Sequence, residues 1–483
     1  MAVNRGEMPV GAPAPAPAPA GGTRVAHVMA ALRARIAGRT LGPGARVPSI
    51  RAMAENCGVS KSTVVDAYDR LVADGTLAAR RGAGFFVAGH APPFALAEVG
   101  PRLDRELDPL WLTRQSLESG GDVLKPGCGW LPASWLPDDG MRRALRAVAR
   151  DARADLADYG APRGLPALRQ QLGWRLAQHG IDAPPDQILL TDGGTHALDL
   201  VCRLLLEPGD TVVVDDPCYF NFQALLRAHR VQLVGVRYTA NGPDPAEFAR
   251  VLAEHRPRLY VTNSALHNPT GAALAPAVAH RVLTLAAEHD VLIVEDDIFA
   301  DFETEPAPRL AAFDGLQRVV SIGSFSKTLS AAVRCGYLAA RREWIDPLID
   351  LKLATTFGNG GLNPAVVHRL LVDGSYRRHL DGLRARLGDA MGETLRQLGA
   401  AGLEVRIRPQ AGMFLWAELP AGLDAALVAR HALDDGVVLA PGNVFSVSRT
   451  ATRHLRFNVS QSNRPAVYAA LRRAMERAAG RTP

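Results

Sequence analysis

Cysteine is scarce: Cys57, Cys128, Cys202, Cys218 and Cys335 are the only five in 483 residues. They are odd in number, scattered, and form no C-x-x-C, so neither a disulfide framework nor a zinc site is implied, and a reducing cytoplasm suits them. No apolar run reaches membrane-spanning length, and the first residues lack the apolar core of a signal peptide. A soluble cytoplasmic protein with no metal and no membrane partner is expected. Excess charge is missing from most of the chain: residues 91–483 hold 44 Lys and Arg against 44 Asp and Glu. The whole net charge of +6 therefore sits in residues 1–90, with 11 basic against 5 acidic side chains. That asymmetry points to a polyanion partner for the first segment, with a merely solvated basic face as the alternative.

Residues 1–22 have almost nothing to bury: Ala and Pro alternate from Gly11 to Ala20, and Gly21-Gly22 follow. A disordered, semi-extended tail is expected. From Arg24 the pattern turns helical, with Val25, Val28, Met29, Leu32 and Ile36 at three- and four-residue spacing. Ser49 is placed to cap a second short helix, and Gly58-Val59-Ser60 forms a tight turn into a third, capped by Ser60. Leu77 to Val87 then reads as two short strands around a basic glycine turn. Helix, turn, helix and wing together predict a winged helix-turn-helix DNA-binding domain over residues 23–90, a small protein-interaction domain being the alternative. The start of a recognition helix faces the major groove, so Ser60, Lys61, Ser62 and Thr63 are the base or phosphate contacts, while Arg46, Ser49, Arg51, Arg80 and Arg81 suit phosphates. The run Gly44-x-x-Val47-Pro48-Ser49-x-Arg51-x-x-Ala54, Gly58-Val59-Ser60-Lys61-Ser62-Thr63-Val64, Ala67-Tyr68, Leu71 and Asp74-Gly75 resembles the GntR family of winged-helix repressors. Residues 91–120, with Pro92-Pro93 and Gly120-Gly121 at its margins, read as a linker.

The length suggests two or three domains, and 47% hydrophobic residues suffice for a large core. Within residues 121–483, apolar runs at Ile188–Thr191, Thr211–Val214, Val231–Val236, Arg258–Thr262, Val291–Glu295, Arg318–Ile322 and Cys335–Ala339 alternate with helical stretches, predicting a mainly parallel sheet covered by helices. One run delivers Lys327 into a loop of small hydroxyl residues, Ser324-Phe325-Ser326-Lys327, with Arg334 beyond. A lysine drawn out of water is costly, and capture of an aldehyde as a Schiff base removes its charge. A surface lysine beside a helix cap is the plainer alternative. Gly193-Gly194-Thr195 follows a strand and opens a helix, an arrangement suited to an anion.

Asn268-Pro269-Thr270-Gly271, Glu295-Asp296-Asp297 and Ser324-Phe325-Ser326-Lys327 with Arg334, in that order, resemble the fold type I pyridoxal-phosphate (PLP) aminotransferases over about residues 120–475. The resemblance implies an α/β transferase fold with a large sheet domain and a small C-terminal α/β domain. It also implies PLP as cofactor: Lys327 as the Schiff-base lysine, Asp296 on the pyridinium nitrogen, Asn268 on the phenolic oxygen, Tyr219 on the ring face, and Gly194, Thr195, Ser324 and Arg334 on the phosphate. Tyr159, in a glycine-rich turn, is implied to reach the phosphate of a neighbouring subunit, and hence a homodimer; ordinary packing is its alternative. Arg456 is implied to fork onto a substrate carboxylate. The family commonly has a tyrosine two or three residues after the ring carboxylate, whereas this chain has Ile298 and Phe299.

Across nearly its whole length the chain resembles the MocR/GabR-type regulators, which join these two parts. That resemblance implies a PLP-dependent transcription regulator binding operator DNA and sensing an amino compound through external aldimine formation at Lys327. An active aminotransferase with a DNA-binding appendage, or a sensor of PLP itself, are the alternatives.

Overall fold

A computed structural model describes residues 23–37, 41, 45–80, 84–88, 117, 123–151 and 159–480. The expected tail, nearly all of the expected linker, Arg81 and the side chain of Arg80 lie outside these. The chain divides into two compact units, residues 1–102 and 103–483.

In the first unit, helices Arg24–Ala37, Ile50–Cys57 and Lys61–Ala73 precede β1 (Leu77–Arg80) and β2 (Gly84–Val87), which pair antiparallel. The Ser49 side chain accepts from Ala52 N and the Ser60 side chain from Thr63 N, so both short helices start at the expected caps. Gly58 ends the second helix at φ 63°, a left-handed conformation that glycine adopts without a Cβ penalty. Apolar residues at helical spacing, Val28, Leu32, Met53, Val64, Tyr68 and Leu71, meet Leu77 and Val87 of the wing in one core. Tyr68 fixes the turn before the second helix by donating to Pro48 O at 2.9 Å, while its ring meets Phe85 edge-on.

The second unit is built on an eight-stranded sheet. Its strands are β3 (Ile188–Thr191), β4 (Thr211–Asp216), β5 (Gln232–Thr239), β6 (Gly242–Pro243), β7 (Leu259–Thr262), β8 (Leu292–Asp296), β9 (Val319–Ser324) and β10 (Gly336–Ala339), in spatial order β3-β10-β9-β8-β7-β4-β5-β6. Pairs β5–β4, β4–β7, β7–β8 and β8–β9 are parallel. The sheet is parallel through its centre, as expected, and mixed at its margins, because β10 runs against both β9 and β3, and β6 against β5. The cause is connection length: residues 325–335 between β9 and β10 are too few for a helical crossover, so the chain can only turn back. That short return carries Lys327. The buried strands form near-continuous apolar runs, and helices on the two faces supply separate cores.

The long helix Ser375–Ala400 leads to a small antiparallel sheet, β11 (Phe414–Glu418), β13 (His454–Asn458) and β12 (Ala440–Pro441), in the order β11-β13-β12. Helices Ala425–Asp434 and Pro465–Ala478 close its core. Among the described residues no helix is long and apolar enough to cross a membrane.

Candidate functional site

Lys327 follows the carboxyl end of β9, where open α/β sheets bind ligands, and the charges of Asp296 at the end of β8 and Arg456 in the middle of β13 both act on it. Its Nζ donates to Gly129 O at 2.7 Å. Desolvation, helped by the nearby Arg456 charge, pulls the ammonium from 10.5 to about 8. The next residue, Thr328, is fully buried and held twice, its Oγ1 by Tyr376 Oη at 2.6 Å and its carbonyl by His379 Nε2 at 2.8 Å. The lysine therefore stands on a rigid base.

Strand alternation separates Glu295 and Asp296, which end β8, and Asp297 follows them. Glu295 turns inward and accepts from Leu310 N at 2.8 Å and Ala311 N at 2.9 Å, fixing the short helix Leu310–Asp314. Asp297 takes both Nε and Nη2 of buried Arg309 at 3.1 Å. Asp296, between these anchored neighbours, accepts from Ile298 N at 3.1 Å and meets the Asn263 side chain, and desolvation raises its carboxyl from 3.8 to about 7.

Arg456, 1% exposed on β13, donates to Asn268 Oδ1 and Gly127 O, both at 2.8 Å. Phe414 and Phe445 face its guanidinium at 4.3 and 4.7 Å, and burial lowers its pKa to about 10. Among the described residues it has no carboxylate partner, and its buried Nε has no hydrogen-bond partner. A buried cation without a counter-charge is costly unless a ligand supplies one. Because Asn268 spends its carbonyl on Arg456, its amide NH2 stays available as a donor. Tyr219 begins the helix Phe220–Ala228 and feels the charges of both Arg456 and Asp296.

Gly194 and Thr195 open the helix Gly194–Leu205, whose first turn has no side-chain cap. Gly193 adopts φ 108°, a conformation that residues with a Cβ rarely take, and the Arg334 guanidinium lies beside it. Arg334, itself left-handed, donates to Asp192 O. Ser324 Oγ lies 2.9 Å from Ser326 Oγ, and β9 and β3 both pair with Gly336 of β10. The expected phosphate residues are thus brought to one edge. Tyr159 is 69% exposed, with its ring 4.7 Å from Phe357. Phe299 packs edge-on against Phe414 in the small-domain core, and Ile298 is an apolar neighbour of the same cluster. Neither places a hydroxyl near Lys327.

Sequence reasoning missed several partners. Gly129 O and Gly127 O carry no side-chain signature and lie far upstream of the groups they bind. Asn458, two residues beyond Arg456, holds the Cys128–Trp130 segment by donating to Cys128 O at 3.1 Å and Trp130 O at 2.7 Å. His267 stacks on Tyr238 at 3.6 Å and lies 3.4 Å from buried Asp215, which Tyr260 and Thr262 also bond. This polar cluster braces the residue before Asn268.

In the first unit, the Ser60 hydroxyl bonds those of Ser62 and Thr63, each at 2.8 Å, leaving Lys61 as the exposed cation of the recognition turn. Arg46 crosses the wing beside Gly84, and Arg51 pairs with Glu55 at 3.3 Å.

Residues 131–473 match the aminotransferase class I and II family, and residues 24–87 match the gntR family of bacterial regulatory proteins. An uncharacterized HTH-type transcriptional regulator of Escherichia coli, YdcR, is 32% identical over 442 residues, covering 89% of this chain and 93% of the relative. A 2-aminoadipate transaminase of Thermus thermophilus is 29% identical over 353 residues, 71% of this chain and 87% of its own. The crystal structure of LysN, an α-aminoadipate aminotransferase from Thermus thermophilus complexed with N-(5'-phosphopyridoxyl)-L-leucine, superposes with a TM-score of 0.69 at 26% identity, covering 76% of this chain and 94% of that one. The fold is that of an aminotransferase-type domain joined to a winged helix-turn-helix. The chain belongs to the aminotransferase class I and II family through residues 131–473 and is, as a whole, an HTH-type transcriptional regulator of the MocR/GabR type.

Proposed function

We propose that this regulator holds pyridoxal 5'-phosphate at Lys327, senses a small amino compound that carries a carboxylate, and changes its grip on operator DNA in response. The observation that carries this reading is the buried Arg456, which lacks a carboxylate partner among the described residues and shares Asn268 with the lysine pocket. When bound, PLP supplies an aldehyde that condenses with amines and a ring that withdraws electrons. The residues present fit it. A lysine with its pKa lowered to about 8 has a substantial neutral fraction near physiological pH. A carboxyl raised to about 7 lacks a cation, which a protonated ring nitrogen would provide to Asp296. Asn268 offers its amide donors, Tyr219 its ring, and Gly194, Thr195, Ser324 and Arg334 an anion cup. Arg456 forks onto the carboxylate of the incoming compound. Tyr159 completes the cup of a second copy, and the exposed ring pair Tyr159–Phe357 is part of the face through which a homodimer forms. The dimer presents two winged helices, with Lys61 and Arg46 on DNA.

The test is the visible absorption of the full-length protein with PLP added, followed through a panel of amino acids, with Lys327→Ala as control. A band that the variant lacks and that one amino acid shifts stably supports sensing. Release of an oxo acid would mark turnover instead, and a DNA response to PLP alone would mark a sensor of the cofactor. No band in the wild type removes the cofactor from the account.

A further inference from the structure

A second cleft, about 490 Å³ in volume, opens between the first turns of helices Asp138–Arg150 and Ser375–Ala400. Its lining includes Ser134, Arg143, Leu329, Tyr376, Arg378 and His379, and none of its residues belongs to the Lys327 pocket. Buried Thr328 separates the two, since Tyr376 and His379 on the floor of the cleft are the groups that grip it.

The charges in this cleft are unequally matched. Asp138 is taken by Arg142 at 2.7 Å, one residue before the cleft's own arginine. Arg143 and Arg378 have no ion pair or hydrogen bond among the described residues, although Asp139 lies in the same lining. Both lie close to the backbone of the rim: an ideal Cβ on Gly374 would meet Arg378 Nη1 at 3.4 Å, and one on Gly140 would meet Arg143 Nη2 at 3.9 Å. The lining thus offers two guanidinium forks and the hydroxyls of Ser134 and Ser375 against one unneutralised carboxylate, over a floor of Leu329, Leu370 and Tyr376. Planar forks recognise carboxylate and phosphate oxygens in pairs, and a volume of this size takes a small metabolite.

We propose that this cleft binds a small organic anion, a carboxylate or a phosphate ester, through Arg143 and Arg378. It is a second ligand site, standing on the far side of Thr328 from Lys327.

Calorimetric titration of the full-length, PLP-saturated protein with inorganic phosphate and, separately, with succinate tests it at fixed ionic strength. One saturable site per chain is expected for at least one probe, weakened tenfold or more in Arg143→Ala/Arg378→Ala and unchanged in Arg146→Ala on the same helix. The tighter probe tells phosphate from carboxylate chemistry. Binding that survives the double variant but disappears in Arg334→Ala lies in the phosphate cup, and binding that survives it but disappears in Arg456→Gln lies at the candidate carboxylate fork; either result overturns the proposal. Absence of saturable binding by both probes overturns it as well. The visible band assigned to Lys327 is read in the same samples, so failure of the cleft and failure of the cofactor reading are told apart.

Discussion

At the scale of single residues, the pocket holds three ionisable groups whose charged forms the fold disfavours: Lys327, Asp296 and Arg456. Each shift is mainly a cost of desolvation, and a bound ligand would relieve it. Between pH 4 and 7 the folded chain binds a proton at Asp296 that the unfolded chain has released, so this group lowers stability as pH rises through that window. Asp296→Asn is therefore expected to raise the thermal midpoint of the cofactor-free protein at pH 8 and to leave it nearly unchanged at pH 4, read by calorimetry at both pH values. Lys327 has the opposite sign: its folded pKa near 8 lies below its unfolded value, so stability is lost as pH falls through about 8 and is fully present above 10.5. Lys327→Met is expected to stabilise the cofactor-free protein by roughly 1–3 kcal/mol at pH 7 and by little at pH 10.5, measured by denaturant unfolding. These residues were legible because motif and chemistry agree. Their carbonyl partners at Gly127 and Gly129 were not, since a backbone acceptor leaves no mark in sequence and only the tertiary fold brings it near.

At the scale of elements, the winged helix could be read almost completely, because caps, turn glycine and apolar spacing are local signals. Ser60 is the clearest case, accepting from Thr63 N. Ser60→Ala is expected to cost about 1 kcal/mol of stability in the first unit. Lys61→Ala, on the exposed face of the same turn, is expected to leave stability unchanged and to reduce the slope of log affinity against log salt by about one, as seen in a DNA titration series. The sheet was less legible: strand positions followed from apolar runs, but direction depends on what the connections can span, and the short Lys327 loop forces β10 to reverse. Phe299 shows the same limit at the site, its position readable but its turn toward Phe414 decided by packing. Gly271, after the Asn268-Pro269-Thr270 turn, has φ 72°, and a Cβ there would stand 2.3 Å from Pro409 Cγ. Gly271→Ala is expected to destabilise the second unit by about 1–3 kcal/mol and to loosen cofactor binding with it.

At the scale of the whole molecule, helices Asp138–Arg150 and Leu362–Val372 pack together and leave Leu145, Leu362 and Val372 exposed, with Tyr159 and Phe357 exposed on the adjoining loops. Under the proposed homodimer these exposed apolar groups belong to the face that a second copy covers, the copy that would use Tyr159. Under the proposed function, an amino compound captured at Lys327 shifts DNA affinity only by as much as its own affinity differs between the two states of the regulator. The most direct measurement is operator binding by full-length protein, followed by fluorescence anisotropy with and without the amino acid that shifts the visible band, in wild type and Lys327→Ala. The expected result is specific binding in both, with an effector-dependent change in Kd of several-fold in the wild type alone. An equal change in the variant, or no specific retention of promoter DNA, would contradict it.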